Sequence, residues 1–365
     1  MSNFIQPKII GWDIGGAHLK AVLLDTNGAQ LSCIQLPCPL WRGLNELEVA
    51  IEAVFSLMDV RPDEALHALT MTGELVDLFP NRHTGVCEIA KYVMDLLGRN
   101  TFFYAANNGF VKFENVAEYT AQIASTNWHA SARLLAEHVQ DALLIDIGST
   151  TSDIIPIAHA KVALQDLSDA SRMQHDTLVY TGVVRTPIMA VAQKITINDN
   201  GLIVEMNVAA EFFATMADVY RLTGELSVEN DMAETADSKG KTKQESARRL
   251  ARMVGCDLED KPIETWIKLA FSFRAIQLKQ LKAAILKHLK PNMPIIGAGA
   301  GSFLVKVLAT ELGCEYRSLT DILKSDISSN DMLNVLQQTD LEVCFPAYAV
   351  ARLALVNQLL KAISA

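Results

Sequence analysis

The sequence predicts an α/β protein made of two duplicated domains with a ligand cleft between them. Residues 12–20 (WDIGGAHLK) and 145–153 (IDIGSTTSD) share an apolar residue followed by Asp, Ile and Gly, and the second Asp lies 133 positions after the first. Each segment follows one apolar run and leads into another, which is typical of a strand, a tight turn and a second strand. A third segment, 297–301 (GAGAG), is also rich in glycine. Three such loops predict a cleft that binds phosphate groups.

The order of the remaining elements agrees with two domains. Residues 8–36 indicate three antiparallel strands, and the apolar spacing after them predicts the order βββαβαβα for the first domain, 1–140. The second domain, 141–345, is expected to contain the second hairpin, the glycine-rich loop and a helical insertion. A final amphipathic helix in 346–365 is expected to pack on the first domain.

The second half of the chain predicts an additional hairpin and several helices. The Asp-Asn-Gly sequence at 199–201 joins two strand-like runs. Apolar spacing predicts helices at 209–222, 245–254 and 263–289, and a last one at 347–362.

The composition is that of a globular protein without a nucleic-acid or membrane partner. Half of the 365 residues are hydrophobic and 20% are charged, but no apolar run approaches the roughly 18 residues of a membrane span. The start of the chain lacks a secretory signal pattern, and six scattered cysteines indicate neither a disulfide framework nor a zinc ribbon. We therefore expect a cytoplasmic protein. A net charge of −10 without a basic run argues against nucleic acid.

The residue types in the three loops fit a phosphate group and a divalent cation. Backbone amides and hydroxyls of such turns suit phosphate oxygens, and Mg²⁺ prefers one or two carboxylates together with phosphate oxygens and water. Asp13 and Asp146 end the first strand of each hairpin and are the predicted Mg²⁺ ligands. The other predicted phosphate-binding residues are Gly15, Gly16, Ala17, His18, Gly148, Ser149, Thr150, Thr151, Gly297, Gly299, Ala300 and Gly301.

This arrangement resembles the actin-like ATPase superfamily, which includes sugar kinases. In that superfamily two duplicated ribonuclease H-like domains place two phosphate hairpins and a glycine-rich adenosine loop around an interdomain cleft. The resemblance implies that 13–20, 146–151 and 297–301 are those three loops. His18 stands where the kinases commonly have Thr or Asn, which weakens an ATP-hydrolysis interpretation, although a lone histidine is often structural. ATP or a pyrophosphate group therefore remain alternative ligands of the cleft.

Four further segments resemble a narrower family. Residues 70–79, 107–109, 127–130 and 180–187 are similar to hydantoinase/oxoprolinase-related proteins of tetrahydromethanopterin-linked one-carbon transfer. Its members with an assigned reaction are archaeal methanofuran-biosynthesis enzymes, which join 5-(aminomethyl)-3-furanmethanol diphosphate to γ-glutamyltyramine and release pyrophosphate. The resemblance implies a transferase of methanofuran-type cofactor biosynthesis. Its expected partners are a small-molecule diphosphate and a tyramine-type acceptor, and in bacteria it implies methylotrophy with formaldehyde oxidation.

Five side chains are candidates for catalysis. Lys20 could stabilise the charge of a leaving pyrophosphate, or lie in solvent. Glu74 and Asp77 follow a predicted strand at the end where α/β sheets bind ligands, and they could bind a second metal, orient an amine or deprotonate a phenol. Arg185 could contact a phosphate or the glutamyl carboxylate, and Asp153 could face the cleft opposite the lysine. Exposed carboxylates and a structural salt bridge are the alternative interpretations.

Three residues are predicted to contact the substrate. Asn107 and Asn108 follow a predicted strand and could donate hydrogen bonds. Trp128 could form one wall of an aromatic site, and a place in the core is the alternative.

Two other functions remain open at this level. The fold would also suit an ATP-dependent small-molecule kinase or a non-catalytic ATP-binding regulatory protein. A preference for adenine nucleotides over pyrophosphate would favour either one. A homodimer is also an open possibility.

Overall fold

The computed structural model describes residues 8–199, 201–323 and 341–356. These residues form two compact units. Unit 1 comprises the described residues of Met1–Ala142, Ile155–Ser171 and Arg317–Ala365, and unit 2 comprises those of Leu143–Ile154 and Arg172–Tyr316. The chain therefore passes between the units more than once.

Fourteen strands occur in the described residues. They are β1 Lys8–Ile14, β2 His18–Leu24, β3 Gln30–Pro37, β4 Ala65–Met71, β5 Thr101–Tyr104, β6 Phe110–Lys112, β7 Ala142–Ile147, β8 Ser152–Ala158, β9 Lys161–Val162, β10 Leu178–Val179, β11 Lys194–Asp199, β12 Leu202–Asn207, β13 Ile295–Ala298 and β14 Tyr316–Arg317. Both hairpins predicted from the Asp-Ile-Gly pattern are present, as β1–β2 and β7–β8.

Twelve α-helices connect these strands in the same part of the chain. They are α1 Asn45–Met58, α2 Arg82–Leu97, α3 Thr120–Ile123, α4 Asn127–Leu135, α5 Asp169–Gln174, α6 Ile188–Val191, α7 Met216–Thr223, α8 Lys243–Arg252, α9 Ile263–His288, α10 Ser302–Leu312, α11 Leu319–Ile322 and α12 Phe345–Val356. Short 3₁₀ helices occur at Leu40–Arg42, Pro62–Glu64, Gly73–Leu75, Ala106–Asn108, Phe113–Glu118 and Leu258–Asp260. None of the described helices is long and apolar enough to cross a membrane.

The sheet of unit 1 has the order β3-β2-β1-β4-β5-β6. Strand β1 is central and buried after its first residue, which suits its apolar sequence. It pairs antiparallel with β2 and parallel with β4, so that Asp13 lies in register with Lys20 on one side and Thr70 on the other. Residues in register share a face of the sheet, so these three side chains form one polar row at the carboxyl end of β1.

Helix α12 packs on strands β1, β2 and β4 of unit 1. The contact is made by backbone atoms, because a Cβ at Gly11 would lie 2.0 Å from the carbonyl oxygen of Ala347. The predicted last helix was 347–362, and residues 357–362 of it lie outside the described residues.

A second sheet, most of whose residues belong to unit 2, has the order β10-β8-β7-β13-β14. Strand β13 runs parallel to β7 and places Ala298 in register with Asp146. The long helix α9 contacts α7, α8 and β11, and its buried face includes Trp266 and Phe273. This arrangement brings the glycine-rich loop after β13 to the same sheet edge as the second hairpin.

One helix begins later than its apolar spacing predicted. The expected helix at 209–222 starts at Met216, and Phe212 and Phe213 before it are exposed. Thr215 and Asp218 form a capping box, with the Thr215 amide donating to the Asp218 carboxylate at 3.1 Å. This cap defines the helix start, so the apolar residues before it belong to a loop.

We predict that Gly11→Ala destabilises unit 1 by about 3 kcal/mol, since neither the strand nor the helix backbone can move away from the added methyl group. Gly98→Ala is the control, because a Cβ there meets nothing within 4 Å. Its only expected cost is the backbone strain of a φ of +83°, which is about 1 kcal/mol. Urea unfolding of the two variants checks this prediction. Equal losses of stability would show that the contact between Gly11 and α12 is unimportant.

Candidate functional site

The first hairpin ends β1 in a tight turn held by backbone hydrogen bonds. The amide of Gly15 donates to the carbonyl of His18 at 3.0 Å, and the amide of Leu40 donates to the carbonyl of Gly16, also at 3.0 Å. The turn from Gly15 to Ala17 and His18 itself are half-buried. The turn is therefore fixed from one side by the chain segment that follows β3.

Asp13 is the buried carboxylate of this hairpin. Only 2% of the residue is exposed, and its Oδ2 lies 3.4 Å from the Nζ of Lys20, whose side chain is 22% exposed. Oδ1 of Asp13 and Oγ1 of the neighbouring Thr70 are buried without a hydrogen-bond partner among the described residues. An unsatisfied buried carboxylate oxygen is costly. Contact with a cation or with water would remove that cost. The surroundings of Asp13 therefore agree with its predicted role as a ligand of Mg²⁺.

No group of three or more His, Cys, Asp or Glu side chains capable of holding a metal occurs in the described part of the chain. Mg²⁺ does not require such a group, because proteins usually bind it through one or two carboxylates together with phosphate oxygens and water.

Glu74 lies next to the first hairpin because β4 runs beside β1. The amide of Thr72, just after β4, donates to the carbonyl of Ile14 at 2.9 Å, and Glu74 follows in a 3₁₀ turn. Its carboxyl is 1% exposed, Oε1 accepts a hydrogen bond from Ser125 Oγ at 2.6 Å, and Oε2 has no partner among the described residues. The fold thus places a second partly unsatisfied carboxyl group in unit 1.

Burial raises the pKa of Glu74 to about 7. The hydrogen bond from Ser125 and the positive charge of Arg82 act in the opposite direction, while Asp169, which is paired with Arg82 at 2.6 Å, raises the pKa. A carboxyl group that titrates near neutrality can accept and release a proton at the pH of the cell. Glu74 is therefore the strongest candidate in unit 1 for a proton-transfer role.

Ser125 was not found by sequence reasoning. It lies between α3 and α4, is 8% exposed, and has a φ of +53°, an unfavourable conformation for a residue with a side chain. Strain of this kind is often found where a side chain must be aimed. No local motif marks Ser125, because its partner is 51 residues away in sequence.

The second hairpin, in unit 2, is enclosed by the segment after β10. The amide of Gly148 donates to the carbonyl of Thr151 at 2.8 Å, which closes the turn. The carbonyl of Ser149 accepts from the amides of Val184 and Arg185 at 3.1 and 2.7 Å. The carbonyl groups of the half-buried turn are therefore bound by residues 184–185. The sequence had indicated this segment only through its family resemblance and through Arg185.

The glycine-rich loop also contacts the second hairpin. A Cβ at Gly299, whose φ is +80°, would lie 2.3 Å from Oδ1 of Asp146, so only glycine fits there. The amide of Gly301 donates to the carbonyl of Ile147 at 2.8 Å, and α10 begins at the next residue, Ser302. The loop containing Gly297 and Ala300 is thus in contact with the second hairpin, beside the amino end of a helix. The binding of phosphate by these residues stays a prediction.

The other predicted catalytic residues have different surroundings. Asp77 and Arg185 are exposed. Asp153 forms an ion pair with the guanidinium of Arg172, which is 2% exposed and also donates to the carbonyl of Thr177 at 3.0 Å. The ion pair with Arg172 gives Asp153 a structural role. A catalytic role of Asp153 stays a prediction.

The predicted substrate residues also lie in two kinds of environment. Asn107 and Asn108 are exposed on a 3₁₀ turn after β5. Trp128 is 2% exposed, and its ring contacts that of His129 with centroids 5.5 Å apart. The role of Trp128 as one wall of an aromatic substrate site stays a prediction. The interdomain cleft also stays a prediction.

Two α/β units, each with a glycine-containing Asp hairpin, define a protein of the actin-like ATPase and sugar kinase fold class. Within that class, the chain belongs to the hydantoinase/oxoprolinase family, whose sequence model matches residues 66–327. The match includes Glu74, the second hairpin and the glycine-rich loop, and the first hairpin precedes it.

Two archaeal relatives carry the same name, (4-{4-[2-(gamma-L-glutamylamino)ethyl]phenoxymethyl}furan-2-yl)methanamine synthase. The protein of Methanocaldococcus jannaschii is 28% identical over 348 residues, which cover 94% of this chain and 97% of the relative. That of Methanococcus vannielii is 28% identical over 225 residues, 60% of this chain and 93% of the relative. A nucleotide-free structure of acetone carboxylase, 11% identical, is similar in fold, with a TM-score of 0.51 over 84% of this chain and 67% of that one.

We predict that the difference in stability between Glu74→Gln and the wild type changes with pH, in favour of the variant as the pH rises. The pKa of Glu74 is about 7 in the folded protein and has an ordinary value of 4.5. The folded state therefore holds its proton more tightly, and the wild type loses stability between about pH 4.5 and 7. Thermal unfolding of both proteins from pH 4.5 to 8 should show a difference that grows through this window and is constant above it.

Ser125→Ala provides the control for this titration. The serine hydrogen bond lowers the pKa of Glu74, so its loss should move the pH window upward. A stability difference between Glu74→Gln and the wild type that does not change with pH would contradict the raised pKa.

Proposed function

We propose that this protein is an ether-forming synthase that joins a furanmethyl diphosphate to the phenol of a γ-glutamyltyramine-type acceptor. The observation that carries the proposal is the similarity to a named synthase along 94% of this chain and 97% of that relative. The name of that relative describes a phenoxymethyl group on a furan, which is an ether between a phenol oxygen and a furan methylene carbon. The proposed place of the reaction is methanofuran-type cofactor biosynthesis in one-carbon metabolism.

The proposed reaction substitutes one oxygen at the methylene carbon for another. The bond from this carbon to the diphosphate oxygen breaks, and its electron pair leaves with pyrophosphate. The phenol oxygen forms the new bond to carbon, and the phenol proton passes to a base. Pyrophosphate release is part of the proposal, and the glycine-containing hairpins support it because such turns suit phosphate oxygens.

The hairpins are proposed to bind and neutralise the leaving group. In unit 1, Lys20 is held beside Asp13 at 3.4 Å and is partly exposed, so it can contact a phosphate oxygen as negative charge develops. Asp13 and Asp146 are the proposed ligands of Mg²⁺, which when bound would offset the charge of pyrophosphate. Arg185 is proposed to contact a phosphate or the glutamyl carboxylate, and Asn107 and Asn108 to donate hydrogen bonds to substrate.

Glu74 is proposed to be the base that accepts the phenol proton. With its pKa raised to about 7 by burial, a large fraction of the carboxyl is ionised at neutral pH and still binds a proton readily. The hydrogen bond from Ser125 at 2.6 Å fixes Oε1 and leaves Oε2, which has no described partner, for the proton. Asp77, which is exposed, lacks this desolvated setting.

An ATP-dependent small-molecule kinase is the second candidate. The glycine-rich loop supports it, because Gly299 contacts Asp146 of the second hairpin directly and precedes the amino end of α10. Helix ends of this kind suit nucleotide phosphates as well as pyrophosphate.

The test is an assay with 5-(aminomethyl)-3-furanmethanol diphosphate, γ-glutamyltyramine and Mg²⁺. We expect the ether product and pyrophosphate in equal amounts, measured by mass spectrometry and by a coupled phosphate assay. A phosphorylated product that forms only with ATP, together with ADP, would contradict the synthase and favour the kinase.

We predict that Lys20→Ala lowers kcat about 100-fold with a smaller change in the Kd of the diphosphate, because charge develops on the leaving group in the transition state. Lys8→Ala, on the exposed first residue of β1, is the matched control and should leave both constants unchanged. An unaltered kcat in Lys20→Ala would remove this lysine from the mechanism.

A further inference from the structure

A buried side-chain network lies behind the second hairpin. Gln277, in the middle of α9, is 0% exposed. Its Nε2 donates to Thr181 Oγ1 at 2.7 Å and to the carbonyl of Gly182 at 2.9 Å. Its Oε1 accepts a hydrogen bond from the hydroxyl of Tyr220, another fully buried residue. Both amide donors and the oxygen of Gln277 thus have partners, and two of the three bonds go to the segment 181–182.

That segment is in direct contact with the hairpin backbone. A Cβ at Gly182 would lie 2.5 Å from the amide nitrogen of Thr150, and the amide of Gly182 donates to Thr186 Oγ1 at 2.8 Å. The hydroxyl of Ser152 donates to the carbonyl of Thr181 at 2.6 Å. Any movement of residues 181–182 would therefore move the hairpin turn.

Helix α9 gives this network a rigid base. Tyr220 is in contact with Phe303, with ring centroids 5.3 Å apart, and Phe273, Leu278 and Leu281 around Gln277 belong to the buried core of unit 2. Close-packed cores of this kind resist small displacements. A chain of contacts thus runs from the core to the turn of residues 148–151.

We propose that Gln277 is a positioning residue for the second hairpin. It fixes residues 181–182 and through them holds the hairpin amides in the arrangement that binds a diphosphate group. Preorganised donors bind and stabilise a charged group better than donors that must first be ordered. This inference rests on the proposed function in one respect, which is that the hairpin binds phosphate groups.

The chain offers a matched control on the same helix. Gln280 follows one turn later, and its Nε2 donates to the carbonyl of Val191 at 2.9 Å and not to residues 181–182. Gln277→Met removes a fully buried amide and Gln280→Met removes an exposed one, each without a large change in volume. A purely structural role for Gln277 predicts that Gln277→Met lowers the melting temperature and that neither variant changes phosphate affinity.

The test is calorimetric titration of the full chain with magnesium pyrophosphate and, separately, magnesium ATP. Loss of the bonds from Gln277 should weaken binding about tenfold, and Gln280→Met should leave it within about twofold of the wild type. Tyr220→Phe, which keeps the ring in the core and removes only the hydroxyl, should weaken binding in the same direction and serves if Gln277→Met does not fold. Unchanged affinity in the folded Gln277 or Tyr220 variant would overturn the proposal.

A second measurement separates this inference from the proposed function. Amide hydrogen exchange of 148–151 and 181–186 should be faster in Gln277→Met than in the wild type, and unchanged in Gln280→Met. If the wild type binds neither pyrophosphate nor ATP, the phosphate role of the hairpin fails, and the exchange rates alone then decide the positioning role. Equal exchange in the two variants would contradict it.

Discussion

Close backbone contact at glycine is the constraint on which the second hairpin depends. At Gly182 and at Gly299 the position of a Cβ is already filled by hairpin atoms, the amide nitrogen of Thr150 and the carboxylate oxygen of Asp146. These two contacts join the hairpin to the segment after β10 and to the glycine-rich loop, so three separate parts of the sequence act as one element of unit 2. A phosphate-binding turn requires such support, because its donors are useful only when their directions are fixed.

In unit 1 the proposed chemistry depends on carboxyl groups that the fold removes from water. Asp13 and Glu74 are both almost fully buried, and each has one oxygen without a partner among the described residues. The surroundings of the two carboxyl groups differ. Oδ2 of Asp13 lies 3.4 Å from the Nζ of Lys20, and Oδ1 has no partner among the described residues, which suits a cation ligand. At Glu74 desolvation dominates and keeps the proton exchangeable near neutral pH.

Local sequence patterns predicted what local structure determines. The two Asp-Ile-Gly hairpins, the glycine-rich loop and most helices were correct because apolar spacing and turn residues act over a few positions. The predicted start of α7 was wrong, because the capping box at Thr215 fixes the first turn of the helix at Met216. The contacts of Ser125 with Glu74 and of Gln277 with Gly182 join residues 51 and 95 positions apart, so no local pattern contains them. The predicted domain limits and cleft stay predictions.

The central claim is that a phenol oxygen replaces a diphosphate oxygen at a furan methylene carbon. The most direct measurement uses γ-glutamyltyramine labelled with oxygen-18 in its phenol group, together with the furanmethyl diphosphate and Mg²⁺, in parallel reactions with and without ATP. The account predicts that the label is retained in the ether product and that the released pyrophosphate is unlabelled. Label in a phosphorylated acceptor, formed at the expense of ATP, would contradict the synthase and establish transfer of a phosphoryl group.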